Sequence, residues 1–130
     1  MSKLTYFCPR CWLEVDARAT ACPRCEFDLQ AYEQLPFEDK LILALGNPIE
    51  DSRIVATQSL AKLKSRAAVP AFAKLIETES SFYVLREVIH ALTVIDHPQT
   101  RALLARLSAH ESILVRQCAQ AALSQHDNGF

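Results

Sequence analysis

A chain of 130 residues with 14 Lys and Arg against 15 Asp and Glu carries a formal net charge of −1, which leaves no clustered positive field of the kind that neutralises nucleic-acid phosphates. Its longest unbroken apolar stretches are short, such as Leu41 to Leu45, far below the roughly 20 residues that span a bilayer, so no membrane segment is expected. The length accommodates one small metal module plus one domain of about 100 residues.

The first informative segment is a pair of identical tetrads, Cys8-Pro9-Arg10-Cys11 and Cys22-Pro23-Arg24-Cys25. Each CxxC turn presents two sulfurs, and two such turns facing each other close a four-coordinate shell at about 2.3 Å per bond. Cys8, Cys11, Cys22 and Cys25 are therefore the expected ligands of one structural zinc ion; iron takes the same four thiolates and stays open as the alternative. Disulfides are disfavoured, since Met1-Ser2-Lys3-Leu4 runs into aromatic and cysteine residues without the apolar core of a secretion signal. A redox dithiol needs only one such tetrad, at a helix N-terminus. The expected compartment is the cytoplasm.

Tyr6 and Phe7 precede the first tetrad, Trp12, Leu13 and Val15 follow it, and Phe27 and Leu29 follow the second. These read as short strands, with Leu13 and Val15 alternating with Glu14 and Asp16 in the period of a half-buried hairpin. On these residues the segment from about 5 to 29 resembles the zinc-ribbon family. Many ribbons carry glycine directly after each CxxC, where Trp12 and Glu26 stand here, and the connection between tetrads is shorter than the usual 15 to 20 residues or so. The resemblance implies a minimal β ribbon over residues 1–30. So small a unit cannot bury enough surface to fold alone, and metal binding supplies its stability.

After residue 30 glycine nearly vanishes, with Gly46 and Gly129 the only two, and alanine and leucine dominate. The predicted helices are Pro36–Leu45, Ile49–Lys64, Ala67–Glu77, Phe82–Ile95, Pro98–Leu107 and Ser112–Gln125. Gly46 followed by Asn47-Pro48 reads as a C′ glycine and a proline stop. Pro70 lies in the first turn of its helix and Pro98 at a first helical position, where a missing N–H matters little. Asp28 to Leu35 is too short for a free linker, which favours a ribbon docked on the helices.

Apolar positions recur with a period of about 32. Leu60, Leu92 and Leu123 fall in register, as do Ala56, Val88 and Ala119; in the intervening helices Ala71, Phe72 and Leu75 match Leu103, Leu104 and Leu107, with Leu43 one repeat upstream. Segments such as Ser52-Arg53-Ile54-Val55-Ala56 and Leu114-Val115-Arg116-Gln117-Cys118-Ala119 resemble HEAT repeats of the short phycobilisome-lyase-like class over residues 36–125. The resemblance implies a mainly α chain, a HEAT-like α-solenoid of paired antiparallel helices over residues 31–130, made of half a repeat, two whole repeats and half a repeat. Because stacked repeats bury a core only with neighbours, either the ribbon caps one end or an unpaired terminal helix meets a second copy or a partner.

Catalytic constellations are absent from the sequence. His90, His97, His110 and His126 fall in different segments, and none stands in an HExxH spacing. HEAT-like iron hydroxylases draw His-Glu pairs from several repeats, but one repeat upstream of His110-Glu111 stands Thr78-Glu79. Cys118 reads as a small core residue, and the chain is expected to be a non-enzyme. Residues 1–30 balance Lys3, Arg10, Arg18 and Arg24 against Glu14, Asp16, Glu26 and Asp28. Arg10 and Arg24 read as solvated turn residues, with a phosphate or acidic surface as the other reading. Lys74 and Arg106 are repeat-equivalent on the second helices of each pair, which implies a short basic row on the concave face, and Trp12 serves either as a partner anchor or as the contact between ribbon and helices. The composite expectation is a protein-interaction or scaffold module. A nucleic-acid-associated adaptor is the alternative, and an accessory subunit of a modifying enzyme follows only from the lyase-type resemblance.

Overall fold

The computed structural model describes residues 5–129; Met1 to Leu4, including the Lys3 of the charge balance, and Phe130 lie outside them. The chain begins with an antiparallel hairpin of β1 (Thr5–Phe7) and β2 (Glu14–Asp16), in which Tyr6 faces Val15. Val15 is buried, whereas Tyr6 and Phe7 stay about three-fifths exposed, at 60% and 62%. The core beneath the hairpin contains Cys8, Val15 and Cys22 as its buried residues, with Cys11, Leu13, Cys25, Phe27 and Leu29 packed around them. Two of those three buried groups are thiols, so little hydrophobic free energy is available here.

The second tetrad does not lead into the short strand expected over Phe27 and Leu29. A single bridge joins Ala21 to Asp28, and Leu29 instead opens a short helix, α1 (Leu29–Glu33). The cause is Asp28, whose carboxylate accepts the Ala31 N–H at 2.9 Å and caps the helix. The segment read as a bare connection is thus half helical.

The helical array follows: α2 (Phe37–Ala44), α3 (Glu50–Lys62), α4 (Val69–Thr78), α5 (Phe82–Val94), α6 (Thr100–Leu107) and α7 (Ile113–Gly129). α3, α5 and α7 pack side by side in one layer, and α4 contacts α6 in the other. The period of about 32 holds in space: Ala56, Val88 and Ala119 are buried, Leu60 and Leu92 are fully buried, and Leu123 packs against the same core. α5 is the centre of the stack, with Val84, Leu85, Val88, Ile89, Ala91 and Leu92 all buried. At the far end α7 exposes Ile113 and Leu114 in its first turn and then turns Gln117, Gln120, Ser124 and Gln125 outward, a mostly polar face of the kind that closes a repeat array.

Three local readings are corrected. Pro98 lies in the turn before α6, not in its first turn, because His97 organises that turn: its Nδ1 accepts the Gln99 N–H at 3.0 Å and its carbonyl accepts the Thr100 hydroxyl at 2.9 Å. Before α4, residues Arg66–Ala68 form a 3-10 turn capped by the Ser65 hydroxyl, so the helix begins at Val69 with Pro70 in its first turn as expected. Gly46 is not a left-handed C′ glycine. None of the described glycines has positive φ, and α2 ends through tight bonds from Gly46 N–H to Leu43 C=O and Asn47 N–H to Ala44 C=O. The left-handed cap occurs instead at Lys64, with φ 51. There Ser65 N–H reaches Leu60 C=O at 3.1 Å and Lys64 N–H reaches Ala61 C=O at 3.0 Å, the paired bonds of a Schellman motif.

A Cβ in the left-handed region costs roughly 1–2 kcal/mol, part of which glycine returns as unfolded-state entropy. Lys64→Gly is expected to stabilise the array by about 0.5–1 kcal/mol, seen in thermal denaturation as a rise of about 3 °C in Tm.

Candidate functional site

The two tetrads fold into the same turn twice. In the first, Cys8 N–H donates to Leu13 C=O at 2.8 Å and Trp12 N–H to Cys8 C=O at 2.7 Å; in the second, Cys22 N–H donates to Phe27 C=O at 3.0 Å and Glu26 N–H to Cys22 C=O at 2.9 Å. Both turns close through a left-handed residue, Trp12 at φ 65 and Glu26 at φ 64. These are the positions where glycine is missing, and the chain keeps the glycine conformation without the glycine.

The turns bring four sulfurs together, all within 4.8 Å of one another. Cys8 Sγ lies 3.6 Å from Cys25 Sγ, and Cys11 Sγ lies 3.5 Å from Cys22 Sγ. A tetrahedral shell with bonds of about 2.3 Å has edges of about 3.8 Å, so the cluster is of the size that one metal ion draws together, and no pair is bonded as a disulfide. The first cysteine of each turn is buried and the second half-buried. As free thiols the four are unequal. The Cys25 backbone N–H is the main force lowering Cys22 to about 6, while burial pushes Cys25 up to about 12. A bound cation must displace the remaining protons, so affinity falls as pH falls.

Among several concave features, a groove of about 790 Å³ lies between α2 and α4. Ile42, Leu45, Ala71 and Leu75 line its apolar part, and the Gly46-Asn47-Pro48 turn and Glu79 close one end. There Arg53 meets Glu79 at 2.6 Å through Nε and 3.1 Å through Nη2, with the Glu79 side chain only 4% exposed. Arg53 Nη1 also donates to the carbonyls of Asn47 and Pro48, each at 3.0 Å. All of this fork's acceptors therefore belong to the groove wall.

The family description of HEAT repeats matches residues 38–125. The chain belongs to the HEAT-repeat family. Comparison with curated proteins gives no match, and comparison with solved structures gives none either.

The HEAT register explains residues that sequence reasoning passed over. Asn47, Glu79 and His110 are repeat-equivalent, and each accepts the N–H two residues on: Ile49 to Asn47 Oδ1 at 2.9 Å, Ser81 to Glu79 Oε2 at 3.1 Å, Ser112 to His110 Nδ1 at 3.0 Å. His110 thus matches Glu79 and not Thr78, and it starts a helix. Arg116 repeats Arg53, donating to the His110 and Glu111 carbonyls at 3.1 and 3.0 Å. The signal was available as three different polar residues at one register position, obscured because their chemistry differs.

The residues expected to contact partners separate. Lys74 is exposed and lines the groove. Arg106, on the neighbouring repeat, reaches Glu77 of α4 at 3.6 Å, both side chains being half exposed or more; such solvated pairs contribute under about 1 kcal/mol. Lys74 and Arg106 therefore do not present two equally free cations. Trp12 is half-buried, its Nε1 3.4 Å from the position a Cβ on Gly46 would take, so it lies between the cysteine turn and the end of α2. Lys40 of α2 adds a second tie, 5.1 Å over the Tyr32 ring. Cys118 is half-buried, its thiol raised by desolvation.

Cys22→Ser is expected to abolish stoichiometric metal binding, measured by elemental analysis, while Cys118→Ser leaves it intact and helical circular dichroism stays near wild type in both. Glu26→Gly removes a strained left-handed residue from the turn, and a relief of about 1 kcal/mol should tighten metal affinity about fivefold in a competition titration with a chromogenic chelator. Glu79→Ala leaves the Arg53 guanidinium without its counter-ion, and urea denaturation should show a loss of about 3 kcal/mol.

Proposed function

We propose that the chain is a non-catalytic protein-interaction module of the cytoplasm, in which residues 1–30 form a zinc ribbon that caps the N-terminal end of the HEAT array of residues 31–130. The observation that carries this reading is the groove: an apolar floor from Ile42, Leu45 and Leu75, flanked by an exposed Lys74, offers a peptide or helix of a partner both buried area and one directed charge. HEAT arrays as a class present extended concave surfaces of this type. The non-catalytic reading is supported by the groove's charged groups, since Arg53 and Glu79 engage each other and Lys74 and Glu77 are solvent-exposed, without the burial that tunes a general acid or base. Zinc is favoured over iron because a closed tetrathiolate shell with a structural role asks nothing of redox chemistry.

A second reading has one observation in its favour. Arg10 and Arg24 occupy the same place in the two cysteine turns and are both exposed, a paired presentation suited to phosphate. Against it, a tetrathiolate around a divalent ion adds a charge of about −2 beside them, and the module's other charges balance. Assembly of two copies through terminal helices has less support: Ile113 and Leu114 are exposed at the start of α7, but the rest of its outer face is largely amide and hydroxyl.

A photo-reactive residue placed at Lys74 should cross-link a defined protein in lysate, undiminished by nuclease, while the same group at Gln120 on the outer face of α7 does not. Loss of the cross-link on nuclease treatment would shift the reading to the nucleic-acid adaptor.

A further inference from the structure

Trp12 is the only tryptophan in the chain, and it stands between the cysteine cluster and Gly46, a residue of the groove lining. Its backbone belongs to the cluster: the left-handed φ of 65 and the 2.7 Å bond to the Cys8 carbonyl are parts of the turn that aims Cys8 and Cys11 inward. Its indole belongs to the array, with Nε1 3.4 Å from the Cβ position of Gly46. A Cβ at residue 46 would stand in van der Waals contact with that nitrogen, so the indole and the turn after α2 are immediate neighbours. Gly46, Asn47 and Pro48 in turn form one wall of the groove. The carbonyls of Asn47 and Pro48 fix the Arg53 guanidinium, and that group holds Glu79, whose second oxygen accepts the Ser81 N–H at the start of α5.

We infer that metal loading of the tetrad controls the shape of the groove, with Trp12 as the positioning residue that transmits it. Filling the four-sulfur shell fixes the first turn, the turn fixes the indole, and the indole holds the Gly46–Pro48 corner in the place from which its carbonyls seat Arg53. Without the ion, the module keeps a core in which only Cys8, Val15 and Cys22 are buried. That is too little to hold a strained Trp12 conformation, so the clamp is released. α5, α6 and α7 are insulated, because their burial comes from Val88, Leu92, Leu104, Leu107 and Val115, all within the stack. The Gly46–Pro48 wall of the interaction surface is then metal-dependent through the module behind it. The inference rests on the groove proposed above as that surface, and it concerns the groove's geometry whatever occupies it.

The test uses the full chain alone, loaded with Zn(II) or stripped with a chelator, read by backbone hydrogen exchange. Stripping should raise exchange about tenfold or more across residues 45–53 and 79–81, leave α6 and α7 within twofold, and move Trp12 fluorescence to longer wavelength. Trp12→Ala should reproduce the rise at 45–53 with zinc still bound at one ion per chain. Gly46→Leu, which displaces the indole without touching the cysteine turn, should do the same and decides the matter if Trp12→Ala loses the metal. An increase confined to residues 5–27 on stripping, or protection at 45–53 that survives Gly46→Leu in the zinc form, overturns the inference. Because no partner enters the experiment, its failure is separate from failure of the interaction reading.

Discussion

In a stack this short every helix lies within one or two neighbours of an end, so the burial of the end faces decides whether a core exists at all. The two ends are closed by different physics. At the C-terminal end α7 carries its own solvent face, with Gln117, Gln120, Ser124 and Gln125 outward and Val115, Ala119 and Ala122 buried. At the N-terminal end α2 has only partly buried apolar residues, Leu41, Ile42 and Ala44 among them, and is completed by what precedes it. Tyr32 takes Lys40 over its ring, Trp12 meets Gly46, and Phe27, Leu35, Ile42 and Leu43 border a common cleft. The cysteine module keeps a core of its own, separate from that of the array, and meets α2 at these points.

A chain with only two glycines must make its tight reversals with other residues, and among the described residues three that bear side chains adopt positive φ: Trp12, Glu26 and Lys64. Each is held by paired backbone hydrogen bonds, which are worth roughly 1 kcal/mol apiece net and offset a local cost of similar size. At Trp12 the side chain retained in this way has a contact to make. At Glu26 and Lys64 both side chains are exposed, and the structure shows no packing that repays the strain.

Electrostatics in the array is organised by repeat position. Arg53 and Arg116 hold the carbonyls of the turns before their helices, and the central repeat, which has Leu85 in that place, contributes Glu79 as the counter-ion to Arg53. A nearly buried carboxylate is tolerable only with its lone pairs filled, and here Arg53 and the Ser81 N–H fill them. One repeat's capping residue has thus become the bridge to its neighbour and the end wall of the groove.

Local chemistry was enough to read the clustering of the four cysteines, the helical character after residue 30 and the repeat register, because CxxC spacing, amphipathic periodicity and self-similarity are properties of neighbouring residues along the chain. It misplaced Leu29, Pro98 and the role of Gly46, where a cap by Asp28, a turn built on His97 and the tight backbone bonds that end α2 each outweighed the pattern. The sequence alone could not show that Arg53 and Glu79, separated by 26 positions, form one buried pair, nor that a tryptophan after the first cysteine turn lies against a glycine after α2. Those contacts join residues with no spacing rule between them. Only the stacking of α2, α3 and α4, with the cysteine module against α2, brings them within reach.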